Sequence, residues 1–108
     1  MEWKRNKSVQ EIIELSNQKP VLVFKHSPRC GISRSALDRI EGNWKPGDNQ
    51  NATCVYIHVM DERKLSNEIE AHFSVQHESP QVLIIKNGKC VYHASHGDVR
   101  YETVIKTR

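Results

Sequence analysis

The fold of this chain is decided by residues 21–40, which read VLVFKHSPRCGISRSALDRI. Residues 21–24 are continuously apolar and rich in β-branched side chains, which predicts a strand buried on both faces. Beyond Cys30 the apolar residues recur at helical spacing, which predicts a helix packed against that strand. These apolar positions are Ile32, Ala36, Leu37 and Ile40. The stretch therefore predicts a strand, a tight loop, a cysteine and a helix, in that order.

The cysteine in this loop has the features of a reactive thiol. Cys30 is expected at a helix N-terminus, where unpaired backbone N–H groups and the helix dipole favour a thiolate over a thiol. Lys25, His26 and Arg29 are expected to add positive charge nearby. Because the thiolate is the species that attacks disulfides, Cys30 is a candidate nucleophile.

Length and composition are those of an ordinary globular protein with one domain, residues 1–108. The 108 residues include 37% hydrophobic and 27% charged side chains, enough for a single core and too few for two. No apolar run is long enough to span a membrane, and residues 1–7 lack the apolar core of a signal peptide. We therefore expect no membrane partner and a cytoplasmic location.

Charge and cysteine usage narrow the function further. The formal charge is +3, and the sixteen Lys and Arg residues are scattered. Nucleic-acid binding requires a concentrated basic patch or an aromatic platform, so no nucleic-acid partner is expected. The three cysteines, Cys30, Cys54 and Cys90, are odd in number and widely spaced. This spacing is typical of neither a disulfide framework nor a metal site, and it favours a reducing compartment with one special thiol.

The rest of the chain alternates helices and strands. Residues 8–11, Ser-Val-Gln-Glu, match a capping box and predict an N-terminal helix. Residues 42–51 predict a long polar loop, residues 53–59 a second strand, and Asp61 or Glu62 the start of a helix with an apolar stripe. Strand, helix and strand at these lengths imply parallel strands with a right-handed crossover.

The C-terminal third predicts a β-hairpin and a last helix. Asn87-Gly88 separates two apolar runs, which is the strongest hairpin signal in the chain because both residues accept positive φ. Gly97-Asp98 is expected to close the hairpin and to cap a helix over residues 99–106.

This order of elements resembles the thioredoxin fold over nearly the whole chain. The resemblance includes Cys30 at the first strand-to-helix junction and Pro80 before the hairpin. The resemblance implies an α/β fold in which a central mixed sheet of about four strands is flanked by helices, with an extra N-terminal helix. It also implies that Cys30 is the reactive cysteine. Pro80, after Ser79, would be the cis-proline that presents backbone to an extended thiol substrate.

Ser33 departs from the thioredoxin pattern, since thioredoxins carry a second cysteine at that position. Without it, a mixed disulfide on Cys30 cannot be resolved within the motif. A one-cysteine mechanism is therefore predicted, in which Cys30 takes a low-molecular-weight thiol from a protein and a second thiol completes the cycle. Ser33 is expected to donate a hydrogen bond to the Cys30 sulfur.

Three segments of the chain together resemble the monothiol bacilliredoxin family. They are residues 25–33, 79–82 and 87–89. That family usually has proline where this chain has Gly31, a change that loosens the helix start and keeps the thiol. The resemblance implies removal of bacillithiol from S-bacillithiolated proteins, without a resident cofactor. The implied partners are S-thiolated proteins and a low-molecular-weight thiol or a separate reductase, and a monomer is expected.

Two other classes of function stay open. Residues 30–33, Cys-Gly-Ile-Ser, are one residue away from the Cys-Gly-Phe-Ser motif of monothiol glutaredoxins, which hold a [2Fe–2S] cluster between protomers. The glycine pair and acidic residue of those proteins are only partly matched by residues 95–98, Ser-His-Gly-Asp. The third class is a thioredoxin-fold module that binds partners without redox chemistry, because a fold does not determine a function.

The remaining cysteines, histidines and arginine have competing interpretations. Cys54, within an apolar strand, is predicted to be a small core residue, whereas Cys90 is a candidate resolving thiol on an edge strand. His26 either tunes Cys30 or packs in the core. Arg29 either meets a carboxylate of the incoming thiol or is solvated. The other histidines have no metal-ligand spacing, and no metal site is predicted. They are His58, His72, His77, His93 and His96.

Overall fold

The computed structural model describes residues 1–107, which form a mixed sheet covered by helices. The strands are β1 (Trp3–Lys4), β2 (Val21–His26), β3 (Thr53–His58), β4 (Gln81–Lys86) and β5 (Lys89–Ser95). The helices are α1 (Val9–Ser16), α2 (Gly31–Glu41), α3 (Asp48–Asn51), α4 (Arg63–Phe73) and α5 (Tyr101–Thr107), with a 3-10 turn at His96–Asp98. The order of strands across the sheet is β1-β3-β2-β4-β5.

Strand β2 is the centre of this sheet, as its apolar sequence predicts. It pairs in parallel with β3 and antiparallel with β4, and all of its residues are buried. Strands β4 and β5 form the predicted hairpin, in which Asn87 and Gly88 both adopt positive φ, 48° and 80°. The α/β class and the parallel and antiparallel halves of the sheet are confirmed.

Side chains of β2 alternate between two separate cores, one on each face of the sheet. Leu22 and Phe24 pack with α2 and α5, whereas Val21 and Val23 pack with α1 and α4. Because successive side chains of a strand point to opposite faces, the two residues that end β2 also face opposite ways. His26 faces α2, and Lys25 faces α4.

The N-terminal segment adds a strand that the sequence analysis missed, so the sheet has five strands where about four are predicted. Residues Trp3 and Lys4 pair in parallel with β3, and the Trp3 ring lies edge-on to Phe24 and Tyr56, with centroid distances of 5.9 and 6.1 Å. A strand of two residues has no period-two pattern. Its position is set by tertiary contacts, which are the pairing with β3 and the packing of the Trp3 ring.

Two predicted boundaries also differ. Residues 42–51 are not entirely a loop, because their last four residues form α3. At the start of α3 the buried Asp48 carboxylate accepts hydrogen bonds from the Lys45 backbone N–H at 3.0 Å and from the Tyr101 hydroxyl at 2.7 Å. Helix α5 begins at Tyr101, two residues later than predicted, after the 3-10 turn. The predicted capping box of α1 is present, with Ser8 and Glu11 bonded to each other's backbone. Within residues 1–107, no helix combines the length and apolar character needed to cross a membrane.

Candidate active site

Cys30 is the N-cap residue of α2, at the end of the loop that follows β2. Its backbone N–H donates to the Ser27 carbonyl at 2.9 Å, and its carbonyl accepts the Arg34 N–H at 3.0 Å. The thiol is free and partly exposed. The first N–H groups of a helix have no partner within the helix, and Cys30 lies at this end of α2, where its side chain makes no capping hydrogen bond. Cys30 is therefore placed as the sequence predicts.

Ser33 lies behind Cys30 and is fully buried, with 0% of its surface exposed. Its Oγ is 2.7 Å from His26 Nδ1 and accepts the Ser27 backbone N–H at 3.0 Å. In residues 1–107 no hydrogen bond joins Ser33 to the Cys30 sulfur. The expectation that Ser33 donates to the thiol is therefore wrong in this structure. Its hydroxyl instead connects the end of β2 and residues 27–30, here called the thiol loop, to α2.

His26 supports this arrangement from inside the core. It is 4% exposed, and its ring lies 5.8 Å from Phe24 and 5.6 Å from Tyr56. Burial, with nearby His58 as a smaller cause, lowers the pKa of His26 below its ordinary value, so the ring is neutral at pH 7. A neutral imidazole either accepts the Ser33 hydroxyl proton at Nδ1 or donates to the hydroxyl oxygen from Nδ1, according to its tautomer.

The proline segment reaches the thiol loop through a pair of serines. The Ser79–Pro80 peptide bond is cis, and Ser79 Oγ is 2.7 Å from Ser27 Oγ. The Pro80 carbonyl accepts the His96 N–H at 3.0 Å, which joins this segment to the turn after β5. Ser27, which sequence reasoning did not single out, is thus the residue that links Cys30, Ser33 and Ser79. Its only sequence signal is its place next to His26.

The rim of the site contains glycine and arginine residues. Arg29 and Gly31 are exposed. Arg34, one helical turn after Cys30, donates from Nη1 to the Pro28 carbonyl at 3.1 Å. A Cβ added at Gly31 would meet only Arg34 Nη2, at 3.8 Å. Arg34 was not predicted as a site residue, although its spacing of four from Cys30 is a usable signal.

Two side chains of the central stretch do not lie where the sequence analysis expects. Ile32 is 60% exposed at the helix start instead of packing in the core. Lys25 does not add charge beside Cys30, because its Nζ donates to the Ser66 carbonyl of α4, on the opposite face of the sheet. Both differences arise because the side chain points away from the expected surroundings, and residue type alone does not show where a side chain points.

Cys54 and Cys90 lie toward the other end of the sheet. Cys54 pairs with Leu22, near the start of β2; it is 2% exposed, and burial raises the pKa of its thiol to about 12. Cys90 pairs with Ile85, which pairs in turn with Val21. Burial also raises the pKa of the Cys90 thiol. The core role predicted for Cys54 is confirmed, and Cys90 is not placed to resolve a disulfide on Cys30 of the same molecule.

In residues 1–107, no group of three or more His, Cys, Asp or Glu side chains is arranged to hold a metal ion. The hydrogen bonds around residues 26–33 instead join His26 to the Ser33 hydroxyl, and Ser27 to Ser33 and Ser79.

Solved structures define the class of protein to which this fold and site correspond. A candidate oxidoreductase with a thioredoxin fold has a TM-score of 0.80 and 30% identity, over 95% of this chain and 90% of that one. A thioredoxin from Malassezia sympodialis has a TM-score of 0.74 and 12% identity, over 97% and 86% of the two chains. Thioredoxin O2 from Arabidopsis thaliana has a TM-score of 0.69 and 21% identity, over 96% and 91%. The chain is a protein of the thioredoxin fold.

The family is more specific than the fold. The sequence model described as "Monothiol bacilliredoxin BrxC" matches residues 2–104. The chain belongs to the monothiol bacilliredoxin family, and a redox enzyme that works through a thiol is the activity that this membership supports.

Proposed function

We propose that this protein removes bacillithiol from protein mixed disulfides through Cys30. The Cys30 thiolate attacks the bacillithiol sulfur of the mixed disulfide. A new disulfide forms between Cys30 and bacillithiol, and the substrate protein leaves as a thiolate that takes up a proton. A second thiol then attacks the disulfide on Cys30, which restores the Cys30 thiolate and releases bacillithiol as a disulfide with that second thiol. Each step exchanges one S–S bond for another, so electrons balance.

The observation that carries this proposal is the placement of one accessible thiol with no second thiol beside it. Cys30 is partly exposed at the start of α2, and the position of a resolving cysteine is occupied by the buried Ser33. A monothiol route is therefore the exchange that this site supports. Bacillithiol as the native thiol is supported by the family match alone.

The surroundings of Cys30 suit a small anionic thiol. Arg34 is held beside Gly31 by its hydrogen bond to the Pro28 carbonyl, and Arg29 is exposed next to Cys30. Guanidinium groups bind carboxylates through paired N–H donors, so these two arginines are proposed to meet the carboxylates of the incoming thiol. We propose a monomer in a reducing cytoplasm that uses bacillithiol as co-substrate, no resident cofactor, and an external thiol or reductase for recycling.

The test is transfer from a protein carrying a single bacillithiol adduct, followed by intact mass spectrometry of both proteins. The reduced enzyme should lose the adduct from the substrate and carry it on Cys30, as peptide mapping would show. Cys30→Ser should transfer nothing while keeping its fold, and Cys90→Ser, the matched control, should transfer at the parent rate. Transfer that survives in Cys30→Ser contradicts the mechanism, and faster transfer from a glutathione adduct contradicts the choice of bacillithiol.

A further inference from the structure

A lysine is buried directly behind the candidate active site. Lys25 precedes His26 in β2 and is 0% exposed, although lysine is among the residues least often fully buried. Its side chain lies on the face of the sheet that packs against α4, away from Cys30. No step of the proposed exchange uses this amine. Its burial therefore calls for a separate explanation.

Lys25 belongs to a polar cluster, here called the lysine cluster, formed by Lys25, Ser66, Glu70 and His77. The Lys25 Nζ is 3.2 Å from the Ser66 carbonyl and 3.2 Å from His77 Nδ1. Ser66 Oγ is 3.1 Å from the same His77 nitrogen. The His77 backbone N–H donates to Glu70 Oε2. His77 is thus held through both its ring and its backbone.

The charges of the cluster fit these contacts. Burial lowers the pKa of Lys25 to about 8, and the Glu70 carboxylate opposes that shift. Burial and the charge of Lys25 lower the pKa of His77. At pH 7 the lysine is therefore mostly a cationic donor and the imidazole a neutral acceptor. A charge-assisted hydrogen bond of this kind is stronger than one between neutral groups.

The lysine cluster is connected to the active site through residues 75–80, here called the proline loop, which joins α4 to β4. His77 precedes Ser79 by two residues, and Ser79 Oγ is 2.7 Å from Ser27 Oγ at the thiol loop. Gln81 Nε2 donates to the Gln76 carbonyl at 2.9 Å, which adds a further link from buried β4. The proline loop is therefore held from behind at His77 and from the front at Ser79.

We propose that Lys25 and His77 are positioning residues for this site: by fixing the proline loop from behind, they place Ser79 and Pro80 beside Cys30 for the incoming disulfide. Neither side chain touches the thiol. The substrate's identity in this inference rests on the proposed function, whereas the placement of the loop does not.

The kinetic test compares Lys25→Met with Lys19→Met, the matched control. Lys19 donates its Nζ to the Asn49 carbonyl at 3.0 Å, away from the lysine cluster. With a bacillithiolated protein as substrate, Lys25→Met should raise KM at least about fivefold and change kcat less than about twofold, because the chemistry at Cys30 is intact. Alkylation of Cys30 by iodoacetamide should stay within about twofold of the parent rate. Lys19→Met should match the parent in all three.

A second pair of variants covers the case in which Lys25→Met does not fold. His77→Leu removes the acceptor and should raise KM like Lys25→Met. His77→Gln offers a carbonyl oxygen to the lysine and should recover most of the loss. An unchanged KM in folded His77→Leu would overturn the proposal. So would alkylation of Cys30 that slows as much as kcat/KM falls, because the defect would then lie at the thiol.

Hydrogen exchange separates this proposal from the proposed function. In either disruptive variant, the backbone N–H groups of Val75 and His77, which donate to Glu70, should exchange about tenfold faster, with those of α2 unchanged. This measurement needs no substrate. If the parent protein does not act on bacillithiolated proteins but the loop exchanges faster, only the proposed function fails. If the loop exchanges at the parent rate, the positioning role fails.

Discussion

Ser33→Ala distinguishes two roles for the serine behind the thiol. The hydroxyl is fully buried and bonds to His26 Nδ1 at 2.7 Å and the Ser27 N–H at 3.0 Å. Removing it leaves both partners without their hydrogen bond, and a buried unsatisfied group costs about 1–3 kcal/mol. Because the Ser27 N–H is only part-buried, we expect a total loss of about 2–3 kcal/mol. That is a large share of the roughly 5–15 kcal/mol by which a domain is stable.

Urea unfolding followed by circular dichroism measures this loss. With a slope of about 1–3 kcal/mol per molar urea, the midpoint should fall by on the order of 1 M. Ser35→Ala is the matched control, since Ser35 is exposed in the same helix. It should change stability by about 0.5 kcal/mol or less, because alanine only improves helix propensity there. A Ser33→Ala protein as stable as the Ser35→Ala protein would refute the structural role of the hydroxyl.

The same variant tests the direct role that the sequence suggests. Since Ser33 is not bonded to the Cys30 sulfur, alkylation of Cys30 in folded Ser33→Ala should stay within about threefold of the parent rate, less than the tenfold that 1.4 kcal/mol would give. A tenfold slower reaction without loss of stability would mean that the hydroxyl acts on the sulfur after all.

Three further predictions concern the same region. Gly31→Pro should raise the midpoint of thermal unfolding by a few degrees, because proline is favoured at the first position of a helix. Cys30, at φ −96° and ψ 121°, already has the extended backbone that a residue before proline adopts. A lower midpoint would contradict this prediction. The parent should gain stability relative to Lys25→Met as pH rises from about 8 to about 10, since the pKa of Lys25 falls to about 8 on folding and the unfolded chain binds more protons in that range; equal pH profiles in urea unfolding would refute it. Ser33→Cys should form a disulfide between Cys30 and the new thiol on oxidation, detected as the loss of two hydrogens in the intact mass, because residues three apart on a helix are neighbours; two free thiols after oxidation would argue against that placement.

The sequence predicts a strand, helix or turn well where the residues of that element themselves show a recognisable pattern. Residues 21–24 form a buried strand because every side chain is apolar, and Asn87-Gly88 forms a turn because both residues accept positive φ. Trp3, by contrast, lies in a strand that depends on distant parts of the chain, since it pairs with β3 and its ring packs on Phe24 and Tyr56. A contact of that kind leaves no local pattern to read.

The sequence predicts which residues form the candidate site better than it predicts which way their side chains point. Cys30 and Pro80 follow from the order of elements, but whether a side chain near the end of β2 faces the thiol depends on the pleat of the strand. His26 faces α2 and Lys25 faces α4, and a shift of one residue would exchange them. Ser33 was found as a position but given the wrong partner, because its hydrogen bond to His26 depends on how α2 packs against β2.

The placement of the cysteines bears on how the proposed exchange must end. Cys54 lies level with Leu22, four residues before His26, which is about 13 Å along a strand, and a disulfide requires Cα atoms within about 7 Å. Cys90 lies level with Ile85, near the same end. Any thiol that releases Cys30 must therefore come from another molecule. Under the proposed mechanism the Cys30 sulfur reacts with two partners in turn. Because neither other cysteine lies beside it, the residues around it are held by contacts of serine hydroxyls, Ser33 with His26 and Ser79 with Ser27.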